Sequence, residues 1–170
     1  MSLETKFISR EISELLWKDG ATLATAESCT AGNVAAAITS IPGSSHYYKG
    51  GVVAYANQVK ENLLHVDTNT IEVHGVVSEE TVCEMVRGAI DTLNTDYAIA
   101  TSGVAGPGGG TPDIPVGTIW LAAGSRYKIV TMKLEGDEGR EMNIAKATSS
   151  ALHLIHDLIK EEQNKAENQN

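Results

Sequence analysis

Apolar residues recur at helical spacing from the start of the chain. Phe7, Ile8, Ile12, Leu15 and Leu16 share one face, and Gly20 is placed to stop that helix. Residues 22–26 form a short, mostly apolar stretch that predicts a buried strand. An Ala-rich helix is expected over 31–39, broken by Pro42, Gly43, Ser44 and Ser45. Residues 52–55 predict a second strand, and Asn57 is placed to cap a helix running to Leu64. Ser78, with Glu79 and Glu80, opens a helix to Leu93 whose inner face carries Val82, Met85, Val86, Ala89, Ile90 and Leu93. A third strand is expected at 97–100. Two more follow at 118–123 and 127–133, joined tightly through Gly124 and Ser125 and therefore antiparallel. The last helix is expected over 141–160, with Ile144, Ala147, Ala151, Leu152, Ile155, Leu158 and Ile159 inward.

Strands alternating with helices predict an α/β protein: three α/β/α layers around a mixed, mostly parallel sheet. Residues 1–160 are expected to form one domain, and 161–170 (EEQNKAENQN) a polar, disordered tail. Sites in such sheets form beyond the carboxyl ends of parallel strands. Three unusual segments follow strands here, at 27–32, 55–60 and 102–110. Parallel strands would bring all three to one edge.

Composition narrows the function. The 170 residues are 42% hydrophobic and only 5% aromatic, so the core must be built from Ala, Val, Ile and Leu. A domain of this length buries roughly 70% of its unfolded surface and needs no staple. The net charge of −9 lacks an offsetting basic stripe, which argues against nucleic acid and anionic membranes as partners. Two distant cysteines, Cys29 and Cys83, make no CxxC pair, and the five histidines form no ligand-like cluster. His153 and His156 read as surface residues. No metal and no cofactor are expected. Neither an 18-residue apolar run nor a signal-peptide core is present, so a cytoplasmic location is expected.

Three segments carry candidate chemistry. In Ala26-Glu27-Ser28-Cys29-Thr30-Ala31-Gly32, Ser28 stands where a strand turns into a helix, beside amides able to hold an oxyanion or a phosphate. Read alone, a serine there is more often a helix cap than a nucleophile. Cys29 is a second candidate nucleophile, but nothing nearby would stabilise its thiolate beyond the helix end. In Tyr55-Ala56-Asn57-Gln58-Val59-Lys60, a turn could bring Tyr55 and Lys60 to one pocket, where a desolvated lysine serves as base for a serine; an exposed helix lysine is the commoner case for any single Lys. From Ser102 to Gly110 the loop carries five glycines, whose successive amides could cradle a phosphate. It is not a Walker loop, because Gly109 stands where lysine is required. Arg140, at the start of the last helix, gains nothing from the helix dipole and suits a ligand role.

TAESCTAG (25–32), IPGSSHYYKGGVVAYANQVK (41–60), HGVVSEET (74–81), SGVAGPGGGTPDIPVGTIW (102–120) and Gly139-Arg140 together resemble the CinA C-terminal domain family. The resemblance runs from about residue 5 to 160. It implies a mixed five-stranded sheet in three α/β/α layers. It also implies amidohydrolase activity of the stand-alone PncC type: nicotinamide mononucleotide plus water gives nicotinic acid mononucleotide plus ammonia, without a cofactor. The extra N-terminal domain of larger members, linked to metal-dependent ADP-ribose hydrolysis, is not matched. By resemblance, Ser28 is the nucleophile, Lys60 the base, and Tyr55 orients the pair. Substrate would be bound by Asn57, Ser102, Gly103, Gly106, Gly108, Gly109 and Arg140, with the Cys29 and Thr30 amides holding the oxyanion. Ala31, Ala56 and Ser102 depart from the usual ESCTGG, YSN and Thr positions, and Ile144 stands where a second Arg is frequent. The mononucleotide is the expected partner, and a homodimer the expected assembly. Two rivals stand beside this expectation: a non-catalytic nucleotide- or partner-binding module, and an amidase for another phosphorylated amide.

Overall fold

The computed structural model describes residues 2–168. Helix α1 (Leu3–Asp19) is capped by Ser2 and ends on Gly20, whose left-handed backbone (φ 64°) closes the last turn. Its inner stripe is Ile8, Ile12 and Leu16; Phe7, expected on that face, is exposed. Strand β1 (Leu23–Glu27) is buried along its whole length. Helix α2 (Asn33–Thr39) leads through a 3₁₀ turn to strand β2 (Tyr48–Val53). Helix α3 (Asn57–Leu64), a further short helix α4 (Thr68–His74) that the hydrophobic pattern does not reveal, and the long α5 (Glu79–Leu93) follow. Ser78 caps α5 by accepting from the Thr81 amide, as its sequence predicts. Asn57 does not cap α3: it is the first helical residue, and Ala56 holds the cap position.

Strands β3 (Tyr97–Gly103), β4 (Ile119–Ser125) and β5 (Ile129–Leu134) complete a five-stranded sheet in the order β2-β1-β3-β4-β5. Strands β2, β1 and β3 are mutually parallel, while β4 runs antiparallel to both of its neighbours. The sheet is therefore mixed with a parallel heart, as expected. Gly124 and Ser125 belong to β4, and the connection to β5 is residues 126–128. The Ser125 hydroxyl accepts from the Tyr127 and Lys128 amides and closes that turn one step later than the glycine suggested.

The faces of the sheet differ in side-chain size. Ala24, Ala26, Ala98, Ala100 and Ala122 face α5 and α3. Leu23, Ile99, Ile119 and Leu121 face α1, α2 and α6 (Arg140–Glu167). Small residues on one face suit the close approach of a helix such as α5; larger ones fill the layer on the other side. The first three connections leave the parallel strands at one edge, where the ends of β1 and β3 lie side by side: Glu27 is in register with Thr101, and the Ser28 amide donates to the Thr101 carbonyl at 3.0 Å.

The polar segment from 161 is not a disordered tail through most of its length, since α6 continues to Glu167; residues 169 and 170 lie outside the described residues. Polar contacts hold it. Glu162 accepts from Tyr97 Oη at 2.9 Å and Ser125 Oγ at 2.7 Å, and Gln163 donates to the Leu15 carbonyl at 3.1 Å. His156 is also buried, with Nδ1 2.9 Å from Asp157 and Nε2 3.2 Å from Glu11 across the α1–α6 seam, so it is not a surface residue. Removing residues 161–170 should strip partners from Ser125 and Tyr97 and lower unfolding free energy by about 1–3 kcal/mol, read from the midpoint of urea unfolding at unchanged slope.

Candidate active site

Ser28 follows the last residue of β1 and is 9% exposed. It does not cap α2, which begins at Asn33. Its hydroxyl oxygen lies 3.2 Å from Lys60 Nζ. Lys60 is 2% exposed, and among the described residues its amine has one other hydrogen-bond partner, the Ala54 carbonyl, to which Nζ donates at 2.7 Å. Both neighbours are neutral. Burial therefore pulls the Lys60 pKa below the ordinary lysine value. The pairing comes from topology: the end of β2 sits against the end of β1, with the Ala54 amide bonded to the Glu27 carbonyl at 2.7 Å, and the first turn of α3 then swings Lys60 back under Ser28.

A buried carboxylate is close by yet leaves the lysine unneutralised. Glu27 is 1% exposed. Its Oε2 accepts from Thr30 Oγ1 at 2.7 Å, the Gly32 amide at 3.0 Å and the Val34 amide at 3.1 Å, and its Oε1 from the Ala35 amide at 2.8 Å. Glu27 thus supplies the cap that Gly32 cannot. The start of α2 is occupied and offers nothing to a substrate. The amides at Cys29 and Thr30 have no oxygen acceptor among the described residues. Thr30 itself is fully buried, its hydroxyl shared between Glu27 and Thr101 (2.7 Å each), so its side chain does not line the site. Glu27 and Thr101 carry no sequence signal for this role, because the amides they serve lie in a turn whose path is set by the sheet.

A cavity of about 290 Å³ opens over the pair. Ser28, Cys29, Tyr55, Asn57, Lys60, Ser102, Gly103, Gly106, Gly108, Gly109 and Arg140 line it, together with Val76 and Val77, which sequence reasoning missed. Two larger grooves, of about 510 and 680 Å³, place no lysine amine against a serine hydroxyl among the described residues. Tyr55 is 61% exposed; its hydroxyl stands 3.4 Å from Arg140 Nη2 and makes no hydrogen bond to Ser28 or Lys60. Ser102 donates its hydroxyl proton to the Val76 carbonyl at 2.6 Å and ties that loop to the sheet. At Gly103 a Cβ would meet Ile119 Cα and the Thr118 carbonyl at 2.6 Å, so only glycine lets the chain pass β4 there. Beyond it, the amides of Ala105, Gly106, Gly108, Gly109 and Gly110 have no partner among the described residues. Ala105 and Gly106 are buried as well. Unpaired buried amides are rare in native proteins and mark a place for an acceptor. Arg140 Nη1 donates to the Gly106 carbonyl at 2.7 Å and brings a cation to the same loop.

Cys29 lies beside Ser28 but is a poor nucleophile. Burial pushes its thiol up to about 12, against the weaker pull of the Cys29 and Thr30 amides and Lys60. Among the described residues, no three His, Cys, Asp or Glu side chains are grouped as for a metal ion. Among the described residues no helix is long and apolar enough to cross a membrane.

The CinA C-terminal domain model matches residues 5–159. The chain belongs to the CinA C-terminal domain family. A CinA-like protein of Cytophaga hutchinsonii is 43% identical over 150 residues, covering 88% of this chain and 36% of its own length. Another from Thermosipho melanesiensis is 42% identical over 154 residues, covering 87% and 38%. The chain thus spans little more than a third of these relatives. Solved structures of matching length exist. The competence/damage inducible protein CihA of Agrobacterium tumefaciens superposes with a TM-score of 0.90 at 36% identity, over 93% of this chain and 99% of that one. A CinA superfamily protein of Escherichia coli gives 0.88 at 31%, over 93% and 92%.

Two outcomes follow from burial. Lys60→Met removes an amine that the unfolded chain holds protonated and the fold desolvates. It should raise stability at pH 7 by about 1–3 kcal/mol. That gain is largest below the lowered lysine pKa and fades as pH rises towards the ordinary value; thermal unfolding across pH reads it. Iodoacetamide at pH 8 should leave Cys29 unmodified in the folded protein and alkylate it on unfolding, as peptide mass spectrometry would record.

Proposed function

We propose that this chain is an amidohydrolase that deamidates nicotinamide mononucleotide, with Ser28 as nucleophile and Lys60 as base. The observation that carries the proposal is the 3.2 Å approach of a buried lysine, surrounded by neutral acceptors, to a serine hydroxyl. A neutral Lys60 keeps one N–H on the Ala54 carbonyl and turns its lone pair to Ser28 Oγ. The loop amides and Arg140 supply the other half of the substrate, binding its phosphate. Lys60 takes the hydroxyl proton as Oγ attacks the carboxamide carbon. The Cys29 and Thr30 amides hold the oxyanion, in a site where one such donor is worth about 10²–10³ in rate. Protonated Lys60 then passes its proton to the departing amine, and ammonia leaves. Water, deprotonated by Lys60, hydrolyses the ester to nicotinic acid mononucleotide and restores Ser28. Arg140 fits a phosphate better than the chemistry, since it lies at the loop and Tyr55.

Purified Ser28→Ala and Lys60→Ala proteins should each lose at least about 10³ of the ammonia release from the mononucleotide. In the wild-type protein, kcat/KM should rise with pH through the lowered Lys60 pKa, because only the neutral amine acts as base. Binding of the mononucleotide without ammonia release in the wild type would establish a binding module instead. Full turnover in Ser28→Ala would refute the nucleophile.

A further inference from the structure

Asn143 lies on the first turn of α6 and is 3% exposed. Its side-chain amide is fully engaged. Nδ2 donates to the Ala105 carbonyl at 3.1 Å and to Asp137 Oδ1 at 2.9 Å, and Oδ1 accepts from the Glu138 amide at 3.0 Å. A carbonyl and a carboxylate only accept, and a backbone N–H only donates, so the orientation of the Asn143 amide is determined by its partners. Asp137 also accepts from the Gly139 amide at 2.9 Å, and these bonds hold its carboxyl below the usual range.

The bond to the Ala105 carbonyl acts on the N–H of the same peptide group, that of Gly106. In a trans peptide the carbonyl and the following N–H point in opposite directions. Drawing the Ala105 carbonyl towards α6 therefore turns the Gly106 N–H away from that helix turn. Gly106 lines the cavity, and its N–H has no partner among the described residues. Arg140 holds the neighbouring Gly106 carbonyl, but residue 107 is proline and has no N–H to aim. Of the two carbonyls that α6 grips, only the one held by Asn143 sets the direction of a donor.

We infer that Asn143 is a positioning residue for the phosphate end of the substrate: it presents the Gly106 N–H to the anion without touching the substrate. The inference rests on the mononucleotide reading above. It separates phosphate-bearing from phosphate-free substrates. The experiment compares nicotinamide mononucleotide with nicotinamide riboside, which lacks the phosphate. Losing one hydrogen bond to a charged oxygen, Asn143→Ala should raise KM for the mononucleotide about tenfold or more with little change in kcat. Its kcat/KM for the riboside should stay within about twofold of wild type on the same grounds. A residue with only a structural role would lower both substrates alike. The ratio of the two kcat/KM values is independent of the folded fraction, so partial unfolding does not mimic the effect. Asn143→Asp, which keeps the size and loses the donor, should behave as Asn143→Ala. Equal losses on both substrates, no loss on either, or failure of both variants to fold would overturn the inference. Ammonia from neither substrate in the wild-type protein would refute the amidase reading alone. Calorimetric titration with nicotinic acid mononucleotide and nicotinic acid riboside then tests Asn143 by the same ratio.

Discussion

A primary amine sits buried against a serine hydroxyl with no acid to neutralise it, and the surrounding structure is arranged around that contact. Lysine seldom enters an interior unpaired, because desolvating the ammonium is expensive. Here the expense is met by losing affinity for the proton. The nearest buried carboxylate, Glu27, would reverse that effect if it were turned to the lysine. It is turned instead to three backbone amides and Thr30 at the head of α2. The helix start thus does two things at once: it satisfies the buried carboxylate, and it keeps that group turned away from Lys60.

The same division of labour explains why Ser28 and not Cys29 carries the proposed chemistry. Adjacent residues at one strand end meet opposite surroundings. Ser28 faces Lys60, whereas the Cys29 sulfur is desolvated within the apolar cluster that includes Val34 and Ile38. An alkoxide needs a base only at the moment of attack; a thiolate would need standing stabilisation, which burial withholds.

The proposed phosphate site is organised from the other side of the cavity. Gly103 lets the chain slip past β4, and the loop beyond it leaves its amides unpaired. The first turn of α6 grips two successive carbonyls of that loop through Asn143 and Arg140. A glycine-rich segment, flexible by composition, is thereby held in one orientation by groups far along the chain.

Much of this was legible in the amino-acid order. Periodicity marks α1, α5 and α6, because a helix must keep one face apolar, and the alanine-rich strands mark a sheet covered on both sides. The segments around Ser28, Lys60 and Gly103–Gly110 stand out because turns, hydroxyls and glycines break those periods. Short α4, with no buried residue, leaves no such mark. Nor does the order of residues show that 161–167 is helical, since that stretch is held by polar contacts to α1, β3 and β4 and not by an apolar stripe. By itself, then, the sequence determined which segments turn, which are buried and which residue types reach the sheet edge. Tertiary structure alone decided that Lys60 meets Ser28, that Glu27 is spent on α2, that Tyr55 turns to Arg140, and that Asn143 orients the loop. Those contacts join positions whose separation along the chain carries no period, so only the packing of strands and helices could bring them together.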